Sequence, residues 1–260
     1  MLLQLMTWRE VERHLETSTG VIVPIGSTEQ HGPNGLIGTD ALCAEHIAKA
    51  AGERAGAVVA PVINVGMAQH HMAFTGSMTL RPSTLILVIK EWVQSLEHHG
   101  FDRFFFVNGH GGNIATINAA FQEIYAERSL AGDGGNDGAK DNGDNRRAVS
   151  CRLRNWWTGE KTGAKIKQLF GARDGSHATI SEVSVTQHLF PEHIKAVGEE
   201  MGPPSPHKGG WTDAEDYRRR FPDGRIGSHP WLATPEAGRT LYELAAEEVA
   251  ADFKVFVDEA

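Results

Sequence analysis

The run Phe104-Phe-Phe-Val107 constrains this chain more than any other feature. Four consecutive large apolar residues leave no wet face, so the segment suits a strand buried on both sides, as in the middle of a parallel sheet. Asn108-Gly-His110-Gly-Gly-Asn113 follows at once, and Ile114, Ile117, Phe121 and Ile124 then recur at helical spacing. An earlier unit repeats the pattern. Val21-Ile-Val-Pro-Ile25 reads as a strand, Leu42, Ile47 and Ala50 carry a helical stripe opened by Thr39, and Ala57–Ile63 reads as the next strand. Pro82 sits where a first-turn proline belongs, and Leu85, Ile86, Ile89, Val93 and Leu96 form a stripe that stops at Gly100. Ala148–Leu153 reads as a further strand ended by Trp156-Trp157, and a last helix from about Pro235 carries Leu241, Leu244, Val249 and Phe253. Strands alternating with helices predict an α/β fold: a mostly parallel sheet with helices on both faces and ligands beyond the strand C-terminal ends.

Residues 1–260 read as one domain, with no internal repeat and no linker to a second. Twenty-five Lys and Arg against 33 Asp and Glu give a net charge of −8, which repels nucleic acid and anionic membranes. No segment approaches the roughly 18 apolar residues needed to span a membrane, and the first residues lack a basic, apolar leader, so a cytoplasmic protein is expected. Cys43 and Cys151 have no C-x-x-C spacing and suggest neither a disulfide framework nor a thiolate zinc site. Residues 131–145 hold five glycines and no large apolar side chain and read as a mobile loop; their Asp and Asn spacing does not match a calcium loop. The Pro- and Gly-rich stretch 198–210 reads as another loop.

Chemistry concentrates in three places. Glu29, His31 and Asp40 lie in the segment after the first strand, where an open sheet places ligands, and carboxylates with imidazole suit a borderline divalent ion. The alternative for this segment is a polar turn with Asp40 capping the next helix. His110 lies in the Gly-rich turn after Val107, with Asn113 placed to cap the following helix; no Gly-Lys-Ser/Thr follows, which disfavours a phosphate loop. His177 and Glu182 lie in Gly175-Ser-His-Ala-Thr-Ile-Ser-Glu-Val-Ser184, where Glu182 could simply complement a helix dipole and His177 be an ordinary loop residue.

Together with His71-Met-Ala-Phe-Thr-Gly76 and Gly227-Ser-His-Pro-Trp-Leu-Ala-Thr-Pro235, these segments resemble the creatininase (creatinine amidohydrolase) family, in order and over most of the chain. The resemblance implies a three-layer α/β/α sandwich, a dinuclear Zn²⁺ or Mn²⁺ centre (with Fe²⁺ also compatible), a homo-oligomer, commonly a hexamer, and hydrolysis of a small, non-peptide amide such as creatinine by a metal-activated water. Carried over by residue, Glu29, Asp40 and His110 hold one ion, and His31 with a bridging Asp40 holds the other. Creatininase itself has a glutamate at the position of Gly112; many relatives have glycine, and there the residue corresponding to Glu182 is the replacement ligand. His177 matches the acid that protonates the leaving amine, for which an imidazole of ordinary pKa near 6.5 is suited. Trp156 or Trp157 matches a region carrying an aromatic substrate lid, although adjacent Trp residues are also good core material. His71, with His70, would line the pocket.

Three other readings share this site: a formamide deformylase, a peptide-maturation enzyme with an open groove, and a metal-binding protein without activity. Gly112 and the unusual Thr179 and Ile180 motivate the last; the intact set Glu29, His31, Asp40, His110 and His177 argues against it, because a scaffold needs no acid.

Overall fold

A computed structural model of the chain describes residues 1–130, 148–195 and 201–259. Four parallel strands, β1 (Gly20–Ile25), β2 (Val58–Val59), β3 (Arg103–Asn108) and β4 (Ser150–Asn155), form a sheet in the order β2-β1-β3-β4. Helix α1 (Trp8–Leu15) precedes them, and α2 (Thr39–Ala55), α3 (Pro82–His98) and α4 (Asn113–Leu130) are the crossovers. After β4 come α5 (Glu160–Phe170), α6 (Ile180–Leu189), α7 (Ala214–Arg220) and α8 (Pro235–Asp258).

The chain steps one way from β1 to β2 and the other way from β2 to β3 and β4. Right-handed crossovers therefore place α2 on one face and α3 with α4 on the other. Alternate strand residues serve the two layers. Ile22, Phe105 and Val107 pack with residues of α2, α6 and α8, among them Ile47, Ile180, Leu241 and Phe253, whereas Val23, Ile25, Phe104 and Phe106 pack with Leu85, Ile89, Ile117 and Phe121 of α3 and α4. The result is the α/β/α sandwich expected. Each fully buried Phe contributes roughly 1.5–3 kcal/mol of transfer free energy, and a polar residue at 104–107 would meet an apolar layer whichever way it pointed.

Register positions the site. Ile25 pairs with Asn108, and Asn108 with Asn155, so the segments after β1, β3 and β4 leave the sheet at one level. Strand order reverses between β1 and β3, the place where an open sheet forms its ligand crevice.

The strand expected over 57–63 is cut to Val58–Val59, with Ile63 returning only as an isolated bridge to Ile25. Pro24 turns its carbonyl to Ile63 N at 3.0 Å, but has no N–H to offer on that side, and Pro61 lacks one too, so the ladder cannot continue between them. The β4 ladder runs two residues past the expected Leu153, and Trp156-Trp157 follow in a 3-10 turn. The loop expected over 131–145 lies outside the described residues, as do residues 198–200 of the stretch expected over 198–210. Among the described residues no helix is long and apolar enough to cross a membrane.

Sequence reading missed α5. Its N-cap is Gly159, which has no side chain to offer. Glu248 of α8 replaces it from a distance, accepting from Lys161 N (2.8 Å), Thr162 N (2.9 Å) and Thr162 Oγ1 (2.5 Å). Burial pushes this carboxyl up, but those three hydrogen bonds outweigh it and hold it below the ordinary range. Glu248→Ala should cost about 1–2 kcal/mol in chemical denaturation, as for loss of a cap. The lowered pKa means that this contribution is present above the ordinary carboxylate range and lost on acidification; an unchanged midpoint at neutral pH would remove the capping role.

Candidate metal centre

Two glycines let α2 enter the crevice. A β-carbon on Gly26 would lie 2.4 Å from Ala41 N, and one on Gly109 would lie 2.0 Å from Asp40 O, so only glycine after β1 and β3 admits the first turn of α2 between them. That turn carries Asp40. The N-cap is Gly38, without a side-chain bond, so Asp40 is not the cap that a polar-turn reading expected. Its carboxylate is buried and faces the histidines of both loops.

His31 Nε2 lies 3.0 Å from Asp40 Oδ1 and 3.8 Å from Glu182 Oε1. His110 Nδ1 lies 3.0 Å from Asp40 Oδ2, and its Nε2 lies 3.2 Å from Glu29 Oε2. Among the described residues, three groups have ligand atoms within 4.8 Å of one another: Glu29, Asp40 and His110; His31, Asp40 and Glu182; and Glu29, His31 and His177. Asp40 is common to the first two.

Asn113 does not cap α4 with its side chain as expected. Its Oδ1 accepts from Met67 N at 2.9 Å and its Nδ2 donates to Gly26 O at 2.9 Å, stapling together the segments that carry the site. Glu182 does serve as a helix-end group, since its Oε1 accepts from Thr179 N (2.6 Å) while Thr179 Oγ1 accepts from Glu182 N (3.2 Å), a capping box. Thr179, one of the two unusual residues, thus has a structural job, and Ile180 is core. Ala178, directly after His177, takes a left-handed φ of 52°, unfavourable for a residue with a β-carbon, and so turns His177 and Glu182 toward the same centre.

The buried groups disturb one another strongly. Burial alone would lower His31, but the Asp40, Glu182 and Glu29 carboxylates outweigh it and carry it up to about 10; His110, likewise opposed by burial, is carried to about 9 by Glu29 and Asp40. Burial would raise Asp40, yet the two imidazoles hold it far below the carboxylate range. Glu182 is pushed up to about 7, by burial first and against the pull of His31. Burial lowers His177 well below 6.5, helped by His71 and His31. The ordinary imidazole pKa expected for His177 therefore does not hold, and it stands neutral at pH 7.

This arrangement suits divalent cations. His31 Nδ1 lies 3.0 Å from the Glu29 carbonyl and His110 Nε2 lies 3.0 Å from the Met67 carbonyl, so each ring spends its one neutral-state N–H on backbone. The other nitrogen of each then meets Asp40 lone pair to lone pair unless a second proton or a cation intervenes. Both oxygens of Glu29, and Asp40 Oδ2, are buried and face imidazole nitrogens at 3.0–3.2 Å, an expensive state for carboxylates unless a counter-charge joins them.

In chelator-treated protein, stability should fall as pH rises. His31 and His110 stand above the ordinary 6.5, so between about 6.5 and their folded values the folded state binds more protons than the unfolded one. The histidine contribution is complete below about pH 6.5 and is lost as pH climbs through about 9–10. Denaturation midpoints of chelated protein measured across that range should decline; a flat profile would remove the coupling.

A cavity of about 460 Å³ opens on one side of the centre, with Asp40, His110, His177 and Glu182 in its wall. Trp156 and Trp157 line it as well. Trp156 is also core, 2% exposed, and its Nε1 has no hydrogen-bond partner. His71 is elsewhere. It does not line this cavity but sits behind Glu29, with Nε2 3.0 Å from Glu29 Oε1 and Nδ1 2.9 Å from Gln30 Nε2. His70 stacks on Trp211 away from the cavity. The pocket-lining role expected of this pair thus fails for the cavity beside the carboxylates, because the segment around 69–71 packs against α7 rather than against the β4 rim.

A family model described as creatininase, creatinine amidohydrolase, matches residues 4–253. The chain belongs to the creatininase family. It is 25% identical to the creatinine amidohydrolase of Pseudomonas putida over 255 residues, covering 94% of this chain and 93% of that protein. The mycofactocin precursor peptide peptidase of Mycolicibacterium smegmatis is 37% identical over 118 residues, 43% of this chain and 47% of that one; the chain thus spans about half the length of the mycofactocin relatives it matches. A solved structure described as creatininase Mn superposes with a TM-score of 0.81 at 24% identity, covering 98% of both chains, and shares the fold.

Sequence reading missed Gln30 and Arg225 of this creatininase-family site. Gln30 bridges the histidines behind Glu29. Arg225, wholly buried, donates from Nη2 to Met201 O (2.7 Å) and pairs with Asp223 (2.6 Å), fixing the segment whose Gly224 carbonyl meets Gln30. Gln30 was visible beside Glu29 and His31, but no periodicity gave it a partner. Nothing in the sequence marked Arg225.

Proposed function

We propose that this chain is a metal-dependent amidohydrolase that cleaves a C–N bond of a small, non-peptide amide. The observation that carries this reading is the sharing of Asp40 between the Glu29–Asp40–His110 and His31–Asp40–Glu182 groups, an arrangement for two ions with one bridging carboxylate. In this reading Glu182 replaces the ligand missing at Gly112, where a β-carbon would lie 2.3 Å from His110 Nε2. The oxygen and imidazole donors suit Zn²⁺, Mn²⁺ or Fe²⁺, and related creatininase structures are described as Mn and Zn-Zn forms. Two such ions, when bound, would polarise the amide carbonyl and acidify water.

The chain's own part is positioning and proton transfer. Glu29, kept dry behind the histidines, fixes one end of the cluster, and the tryptophan wall excludes water from the amide. His177, neutral at pH 7, accepts a proton from the attacking water and delivers it to the departing nitrogen, which leaves as an amine. A cavity of about 460 Å³ is of the size that holds a small ligand. Creatinine is one such amide, supported by the nearly full-length match to creatinine amidohydrolase. Peptide maturation is the second reading, favoured by the higher local identity to the mycofactocin peptidases.

Elemental analysis together with an amine-release screen over creatinine, formamides, lactams and short peptides tests these readings. Near two ions per chain with turnover of a small amide supports the first; turnover of peptides alone transfers the assignment to the second. Two ions without any turnover would leave a metal-binding protein. We further infer a single domain over 1–260, a cytoplasmic homo-oligomer and no nucleic-acid or membrane partner; a 28 kDa species in light scattering would overturn the oligomer.

A further inference from the structure

Gln30 lies between Glu29 and His31 but is itself no ligand, and the polar contacts around its side chain define where hydrogens sit on two neighbouring rings. Its amide orientation is fixed at both ends. Oε1 accepts from Gly32 N at 2.8 Å, and Nε2 lies 3.1 Å from Gly224 O, a pure acceptor, so oxygen and nitrogen cannot be exchanged. Nε2 carries two hydrogens and lies within reach of Gly224 O, His71 Nδ1 at 2.9 Å and His177 Nε2 at 2.9 Å, and the Tyr217 hydroxyl, itself donating to Gly224 O at 2.8 Å, lies beside the same amide.

The backbone of the same residue resolves the choice. His177 Nε2 lies 2.8 Å from Gln30 O, which only accepts, so that nitrogen bears the hydrogen and donates it there. Gln30 Nε2 then gives one hydrogen to Gly224 O and the other to His71 Nδ1. His71, accepting at Nδ1, carries its own hydrogen on Nε2, the atom facing Glu29 Oε1 at 3.0 Å. His177, protonated on Nε2, turns a bare Nδ1 toward Glu29 Oε1, 3.8 Å away.

We propose that Gln30 is a positioning residue that sets the tautomers of both histidines: an N–H from His71 toward Glu29, and an unprotonated His177 Nδ1 toward the carboxylate cluster. This deepens the proposed function, on which it rests, by naming the His177 atom that takes the proton. The main chain holds His177 by other means. Ser228 Oγ donates to His177 O at 2.7 Å, and Ile226 forms an isolated bridge with His177. Loss of the Gln30 side chain removes the donor to His71 Nδ1, while the Gln30 carbonyl still accepts from His177 Nε2.

Neutron crystallography of zinc-loaded protein reads the tautomers directly. Deuterium should appear on Nε2 of both His71 and His177, and on Nδ1 of neither; deuterium on His177 Nδ1 or on His71 Nδ1 overturns the proposal whatever the protein hydrolyses. In Gln30→Met, which keeps volume but neither donates nor accepts, the His71 ring should change tautomer or rotate, because its Nδ1 loses its donor, while His177 keeps its hydrogen on Nε2 and metal content per chain stays at the wild-type value. If the His71 ring keeps its hydrogen and orientation, the Gln30 side chain does not set it. Where turnover has been established, kcat of Gln30→Met should fall roughly 10- to 100-fold with KM little changed, as for other residues that orient a reacting group. Absence of turnover in wild-type protein with every amide would sink the functional reading and leave the neutron result to decide the role of Gln30. A purely structural role would lower Tm and leave the tautomers as they are.

Discussion

Asp40→Asn should leave the chain with neither ion. The variant keeps the shape of the side chain, but an amide cannot supply the bridging negative charge that the two candidate ligand groups share. Metal content by elemental analysis should fall from near two per chain to near zero. Amide hydrolysis should fall by about 10³-fold or more, because the ions are asked to supply several kcal/mol of charge stabilisation and each tenfold costs about 1.4 kcal/mol. His110→Ala belongs only to the first group and should lose the ion held there, together with turnover. The stability profile gives an independent check. Without Asp40 the largest favourable partner of His31 and one of the two main partners of His110 are gone, so the decline in stability of chelated protein with rising pH should shrink greatly. An Asp40→Asn protein that keeps two ions would overturn the bridging assignment.

His177→Ala should separate binding from chemistry. Near two ions should remain, because His31, Asp40, Glu29, His110 and Glu182 are all intact, while kcat falls by about 10²–10⁴-fold, the usual contribution of a positioned acid–base group. The truncation also leaves Gln30 O without its donor and opens a gap behind His31, whose ring centroid stands 4.7 Å from that of His177. A stability loss of about 1–3 kcal/mol is therefore expected alongside. Loss of one ion instead would make His177 a ligand within the Glu29–His31–His177 group and deny it the proton-transfer role. The two variants thus give opposite patterns: activity lost with metal, and activity lost without it.

Much of the scaffold was legible because burial leaves a direct trace in composition. The run at 104–107 has no polar residue since both faces of β3 are covered, and the stripes of α3, α4 and α8 recur at 3.6 because one side of each helix meets the sheet. The strand at 57–63 was overcalled because apolar residues alone do not form a ladder; the missing donors of Pro24 and Pro61 end it. Helix α5 was missed because its N-terminal partner, Glu248, is contributed by a helix 86 residues further along.

At the site, the order of strands and loops along the chain is enough to bring Glu29, Asp40 and His110 to the crevice. Glu29, Asp40 and His110 follow strands whose C-terminal ends must lie at the same rim of a parallel sheet, and the short reach of these segments ties the side chains to that rim. How they are used depends on the packing of the layers: Asp40 sits inside the first turn of α2 between two imidazoles, Glu182 both caps α6 and approaches His31, and His71 stands behind Glu29 rather than in the cavity. Spacing along the chain is a one-dimensional quantity that fixes local geometry over a few residues. Contacts such as Gln30 with Gly224, or His31 with Glu182, are made by packing the layers together, and their energies depend on burial and hydrogen-bond directions that exist only once the fold has formed.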